Sequence, residues 1–140
     1  MSGQLHEFGD SLREFVLGYT GAHERAVLRA PDVYDFFARL FADDRVDREA
    51  RQLVNGVLAY FVAPGDVMPE EELGPYGLLD DLFVATHAFR LLRRELPDEV
   101  IAAAWAGDDD VDDVFNVVHT EARAAVGRKS REALRMAGMG

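Results

Sequence analysis

The sequence predicts an all-α fold, a single compact bundle of about six or seven helices with a central loop rich in proline, glycine and acidic residues. Two observations predict it. Apolar residues recur every three or four positions through most of the chain, and no segment alternates as a half-buried strand does. At 140 residues, one domain spanning positions 1–140 is expected.

Three helices are predicted before residue 43, and prolines and glycines separate them. Residues 18–21 end the first helix, and a short second helix runs to Ala30, because a residue before proline is steered away from helical angles. Pro31 opens the third helix, where its missing N–H costs nothing. The apolar stripes are Leu5, Phe8, Leu12, Phe15, Val16 and Tyr19 in the first helix and Val33, Phe36, Phe37, Leu40 and Phe41 in the third.

Later helices follow the same logic. The segment from Asp47 to residue 62 is strongly amphipathic, whereas residues 82–92 are apolar on nearly every side, which predicts a central, surrounded helix. Pro97 starts a helix that ends at Gly107, and residues 108–110 start another that ends at Gly127. Ser130 is expected to cap a last basic turn, within a basic C-terminal tail at about 128–140.

Charge is unevenly distributed along the chain. The net charge is −11, and residues 52–122 contain fifteen acids and three arginines. Such a field repels nucleic acid, whose binding needs lysine and arginine. It favours another protein with a basic surface, or self-association through the basic tail, as the partner.

Composition also bounds the location of the protein. There is no cysteine, so thiolate metal sites are excluded. The first residues lack a basic region followed by an apolar run, and no apolar run reaches the roughly 20 residues that span a bilayer. A cytoplasmic location is therefore expected.

The segment 64–81 is the most distinctive part of the chain, with three prolines, three glycines and six carboxylates. An apolar helix precedes it, and the spaced positions that define it are Pro64, Asp66, Pro69, Glu70, Gly77, Asp80 and Asp81. This pattern resembles the YkvA-like family of small helical domains over a core of about residues 44–92. The resemblance implies an all-α fold and no particular reaction. Gly65, Val67 and three consecutive glutamates make this loop more polar than is usual in that family.

Four of the acids suggest a metal site. If the loop folds back on the following helix, Asp66, Glu70, Asp80 and Asp81 converge, and their mutual repulsion would require a cation or many N–H donors. Oxygen ligands suit Mg²⁺, Mn²⁺ or Ca²⁺. His87 lies two turns after Asp80 and would line such a site.

A simpler alternative needs no metal or other cofactor. Asp66 caps the turn after Pro64, and Asp80 or Asp81 caps the next helix through its free N–H groups. His87 is then a core histidine. The acids at 108, 110 and 112 do not make a calcium loop either, because Asp113 replaces the required glycine and His119 the final glutamate.

Function is predicted with three alternatives in view. The preferred one is a non-enzymatic protein-interaction module whose loop presents Glu70, Glu71, Glu72 and Tyr76 to a basic partner. The first alternative is a divalent-metal-dependent enzyme that uses the four carboxylates. The second is a peripheral membrane protein, which is disfavoured because anionic headgroups repel carboxylates.

Overall fold

A computed structural model describes residues 2–63 and 73–139 and confirms the all-α bundle, with no β-strand in those ranges. Short 3₁₀ turns at Gly74–Leu78 and Gly127–Lys129 lead into the helices that follow them. The α-helices are α1 Ser2–Val16, α2 Glu24–Val27, α3 Ala30–Ala42, α4 Arg48–Val62, α5 Leu79–Glu95, α6 Asp98–Ala104, α7 Val111–Val126 and α8 Ser130–Met136.

Helix α5 is the centre of the bundle. It packs against α4, α7 and α8, and its contact with α7 is the most extensive between any two described elements. Every residue from position 79 to 86 is buried. The surrounded position predicted for residues 82–92 is therefore confirmed as far as residue 86, whereas Arg90 and Leu91 of the same segment are exposed.

An aromatic cluster fills the space between α3, α5 and α7. Phe89 and Phe115 are stacked with ring centroids 4.0 Å apart, and Phe36 meets Phe115 edge to face at 5.3 Å. Trp105 closes the cluster, with its ring 6.0 Å from that of Phe115. The stripe of α3 is thus core, as expected from its spacing.

Three helices begin where the sequence predicted, and their first turns show why. Pro31 lies in the first turn of α3. The side chain of Asp47 accepts a hydrogen bond from the N–H of Ala50 (2.9 Å), and that of Asp110 accepts one from the N–H of Asp113 (3.1 Å). Each cap satisfies an N–H group that has no partner within the helix.

Three expectations about helix ends were wrong. Ala30 is the first residue of α3 rather than the last of α2. Leu28 and Arg29 also keep helical angles, and the burial of Ala30 outweighs the conformational preference of a residue before proline. Helix α6 ends at Ala104, before Gly107. Ser130 is the first residue of α8, and its hydroxyl donates to the carbonyl of Gly127 instead of capping.

The chain end packs back on the bundle. Ala133 of α8 is fully buried, and the carbonyl of Ala137 lies where it would be 2.9 Å from a Cβ at Gly56 of α4. Only glycine permits this approach without displacing the backbone. The basic residues of this region have no carboxylate within 4 Å in the described parts of the chain; they are Arg128, Lys129, Arg131 and Arg135.

None of the helices in the described ranges is both long enough and apolar enough to cross a membrane.

Candidate functional site

Asp80 and Asp81 lie side by side in the first turn of α5, and neither side chain is exposed to solvent. The expectation that one of them caps this helix was wrong. The preceding 3₁₀ turn places Leu78 at the N-cap, so the two acids occupy the second and third helical positions. There the positive end of the helix dipole favours a negative charge.

Tyr60 of α4 reaches the first of these acids. Its hydroxyl donates a 2.8 Å hydrogen bond to Oδ2 of Asp80, and the bond is fully buried. Taking a carboxylate out of water is costly unless hydrogen bonds or opposite charge compensate. The Tyr60 bond is one such compensation, and it ties α4 to α5 at the ends that flank the central loop.

The remaining residues of the predicted metal site and loop surface lie outside the described residues; they are Pro64, Asp66, Pro69, Glu70, Glu71 and Glu72. Gly77 is buried in the 3₁₀ turn before α5. Tyr76 is half-buried against the core, with its ring centroid 6.2 Å from that of His23. Within residues 2–63 and 73–139, no three histidine, aspartate or glutamate side chains lie close enough together to hold a metal ion.

Two histidines lie further along the α5–α7 contact. His119 is buried and stacks on Phe83, and its Nδ1 is 2.9 Å from the hydroxyl of Thr86. That hydroxyl also lies 3.1 Å from the carbonyl of Phe83; when it donates to this carbonyl it accepts from His119, which then carries its proton on Nδ1. Burial, and then the charge of Arg90, lower the pKa of His119 to about 4. Burial and Arg90 also lower the pKa of the half-buried His87.

A larger concave site lies against the first half of α7. We call it the acidic groove. It has a volume of about 650 Å³ between the α2–α3 junction and the start of α7. Five aspartates surround it: Asp32, Asp108, Asp109, Asp110 and Asp113. Apolar side chains line its floor, and two of them, Leu28 and Val117, are 42% and 39% exposed.

The loop that carries three of these aspartates is fixed at several points. The indole N–H of Trp105 donates to the carbonyl of Asp109 (3.0 Å), and Arg29 donates to its carboxylate (2.6 Å). Asp109 adopts a left-handed conformation, with φ of 71°. The Trp105 ring folds over Gly107, where a Cβ would lie only 2.5 Å from it. These contacts therefore hold the loop in one defined conformation.

The cations of the acidic groove are already paired. Arg29 bridges Asp32 (3.1 Å) and Asp109 (2.6 Å), while Arg25 binds Glu121 (3.1 Å) outside the groove. Asp108, Asp110 and Asp113 have no cation within 4 Å in the part of the chain that the structure describes. Three uncompensated negative charges therefore surround a partly exposed apolar floor.

Sequence reasoning identified the acids at 108–113 but not the groove, which also needs residues about 80 positions earlier. It also missed the pair His23 and Glu121, joined by a 2.6 Å hydrogen bond from Nδ1 to Oε2. That bond, followed by the one from Arg25, lowers the pKa of Glu121. No local pattern indicates either long-range contact. A local signal for the loop was the lone tryptophan beside a glycine and three aspartates.

Comparison with known proteins finds similarity to a family and to a relative that have no assigned function. The model of a family described as "Protein of unknown function (DUF1232)" matches residues 50–86, which include Tyr60, Asp80 and Asp81. The chain is also 27% identical over 121 residues to the "Uncharacterized protein ORF9" of Methanothermobacter thermautotrophicus, an alignment that covers 86% of this chain and 83% of that protein. No solved structure matches at a significant level.

Proposed function

We propose that the protein is a non-enzymatic interaction module that binds a basic, amphipathic segment of another protein in the acidic groove. The observation that supports it is the set of three aspartates without cationic partners, Asp108, Asp110 and Asp113, around a partly exposed apolar floor. Opposite charge steers a partner to the groove and fixes its orientation. Burial of Leu28 and Val117 would then supply the non-polar part of the affinity.

The rigidity of the loop strengthens this proposal. Because Asp109 is held by Trp105 and Arg29, and Asp110 caps α7, the aspartates are positioned before any partner arrives. A preorganised surface loses little conformational entropy on binding. A left-handed residue such as Asp109 is also the kind of strained position that is retained at functional sites.

The test is binding of a synthetic lysine- and leucine-rich helical peptide, measured by calorimetry at low and physiological salt. The variant Asp108→Asn/Asp110→Asn/Asp113→Asn removes three charges, and asparagine retains the cap at position 110. We expect about tenfold weaker binding and a smaller salt dependence, because rim charges act through screened attraction. The matched control, Glu14→Gln/Glu49→Gln/Glu132→Gln, removes three exposed charges elsewhere and should bind as the unmodified protein does. Equal affinity of the two variants would contradict the proposal.

A second copy of this chain is one source of such a basic segment. The bases at 128–135 follow the C-terminal end of α7, and among the described residues none of them lies within 4 Å of a carboxylate of the groove, so they form no ion pair with it within one molecule. Light scattering over a salt series tests this source. Self-association at low salt that disappears on deletion of residues 128–140 would identify the partner as a second copy, and a monomer throughout would identify it as a different protein.

A divalent cation at the start of α5 is a second candidate, favoured by the complete burial of two adjacent carboxylates, Asp80 and Asp81. In this alternative the pair anchors Mg²⁺, Mn²⁺ or Ca²⁺, with Asp66 and Glu70 as further ligands, and a bound ion would activate water. Thermal melts test it. Millimolar Mn²⁺ or Ca²⁺ should raise the Tm of the unmodified protein but not that of Asp81→Asn. An unchanged Tm in the unmodified protein would exclude it.

The paired aspartates, Asp80 and Asp81, also support a family assignment more specific than a family of unknown function. We propose that the chain is a YkvA-like protein, because the spaced prolines, glycine and paired aspartates lie within or beside the segment that matches the uncharacterised family.

A further inference from the structure

We propose that a second groove, on a different face from the acidic groove, binds a phosphate group. It is a depression of about 300 Å³ between α5 and α7, which we call the arginine groove. Three arginines of α5 line one side, with Asp112 and Asn116 of α7 opposite and Phe115 beneath. The proposal is independent of the interaction module, since the two sites share none of these residues.

Arg93 is the fixed element of the arginine groove. Its Nε and Nη2 donate to the two carboxylate oxygens of Asp112 (3.1 and 3.0 Å), and its Nη1 donates to Asp98 (2.8 Å). This pairing neutralises Asp112, the carboxylate that lines the groove. An incoming anion therefore meets no uncompensated negative charge from that side.

Arg90 and Arg94 carry the uncompensated charge. They are four residues apart on α5, so their side chains project from the same face one turn apart. Both are exposed, and neither has a carboxylate within 4 Å among the residues that the structure describes. Arg90 also contributes, after burial, to the lowered pKa of both His87 and His119, which places its positive charge near both rings.

These groups suit a tetrahedral oxyanion. A guanidinium presents N–H groups in a planar fork that matches two phosphate oxygens, and the amide of Asn116 can donate to a third. The buried rings of Phe89 and Phe115 exclude water from below, which strengthens the attraction. The volume is at the lower limit for small-ligand pockets and suits inorganic phosphate or a small phosphate ester. The negative charge of the whole chain argues against a nucleic acid backbone as the source.

The four histidine rings lie in different parts of the molecule, so their NMR signals can locate the phosphate site. Inorganic phosphate is titrated at constant pH and constant ionic strength while the histidine ring resonances are followed by NMR. We expect saturable shifts at His87 and His119, which lie near Arg90, and none at His6 and His23, which lie elsewhere on the bundle. Equal drift of all four signals, as sodium chloride alone would cause, overturns the proposal.

Variants assign the effect to the two arginines. Arg90→Gln/Arg94→Gln should raise the Kd for phosphate at least tenfold, since each charge-assisted contact contributes at least that much. Arg128→Gln/Arg131→Gln removes the same charge from the 3₁₀ turn before α8 and from α8 itself, and should leave the Kd unchanged. Arg90→Lys/Arg94→Lys should give an intermediate Kd, because lysine retains the charge but lacks the planar N–H groups of the guanidinium. This conservative variant also serves if the glutamine variant does not fold. The same Kd in all variants overturns the site.

Tighter binding of phenyl phosphate than of inorganic phosphate would identify an ester as the ligand, and equal binding would identify free phosphate.

Discussion

Two segments of this protein have nearly the same sequence and opposite surroundings. Residues 79–83 of α5 read Leu-Asp-Asp-Leu-Phe, and residues 111–115 of α7 read Val-Asp-Asp-Val-Phe, each with a histidine four residues later. Both aspartate pairs occupy the second and third positions of their helices. Yet Asp80 and Asp81 are fully buried, whereas Asp113 is exposed and Asp112 is partly exposed.

The difference comes from the neighbours rather than from the segments. Helix α5 is surrounded, so its acids face Tyr60 and the interior, while the start of α7 lies at the edge of the acidic groove. The histidines show the reverse: His119 of α7 is buried, and His87 of α5 is only half-buried. The same local sequence thus supplies an interior polar pair in one place and a solvated helix start in the other.

The largest expected effect is at the buried acid. Asp80→Ala removes the acceptor of the Tyr60 hydroxyl and leaves a cavity, and should cost about 3 kcal/mol or more of unfolding free energy. In the exposed pair of α7, Asp113→Ala should change stability by less than about 0.5 kcal/mol, because that side chain is exposed. Urea unfolding of both variants measures the contrast. Equal losses would show that burial does not separate the two segments.

The buried histidine should make stability fall in mild acid. In the unfolded chain His119 titrates near 6.5, but in the folded protein its pKa is about 4. As pH falls from 6.5 to 4, the unfolded state takes up a proton that the folded state does not, so the free energy of unfolding decreases by on the order of 3 kcal/mol.

Unfolding of the protein at pH 7, 5.5 and 4 measures this loss. His119→Gln retains a hydrogen-bonding group toward Thr86 but does not titrate, so it should have a shallower pH dependence. An unchanged slope in that variant would assign the acid sensitivity to other groups.

A smaller effect is expected at the cap of α7, which α5 lacks. Asp110→Ala should cost about 1 kcal/mol and Asp110→Asn almost nothing, because asparagine accepts the same N–H bond. Asp47→Ala and Asp47→Asn at the start of α4 provide a matched pair. A loss with asparagine as large as with alanine would mean that charge, not the hydrogen bond, matters there.

The smallest effect on stability is expected at Asp108, whose predicted role is in binding. Asp108→Asn should leave the melting temperature nearly unchanged, since the carboxylate is exposed and has no cation within 4 Å in the described chain. It should nevertheless weaken peptide binding in the acidic groove. Calorimetry beside a thermal melt separates the two quantities, and a large drop in Tm would give Asp108 a structural role instead.

Local chemistry accounts for what the sequence predicted correctly. Pro31, Asp47 and Asp110 begin helices through their own backbone preferences and side-chain caps, and the apolar spacing of α5 indicates its central position. The Ser130 cap and the cap at Asp80 or Asp81 were wrong because 3₁₀ turns precede both helices and move the N-cap by a residue or more.

The contacts that form the candidate sites could not be predicted from local sequence patterns. Arg29 and Asp109 are 80 residues apart, and either could pair with many other charges until the fold selects one. The burial of Asp80 depends on Tyr60, which lies on another helix. The predicted metal quartet stays a prediction, since Asp66 and Glu70 lie outside the described residues.

The position of Trp105 has a practical consequence for spectroscopy. It is the one tryptophan of the chain; its indole N–H is bonded to the carbonyl of Asp109, and its ring contacts the aromatic cluster. Indole emission responds to the polarity and motion of its surroundings, so a ligand that displaces the 108–110 loop should change the wavelength or intensity of fluorescence. The unlabelled protein thus carries its own optical reporter beside the acidic groove.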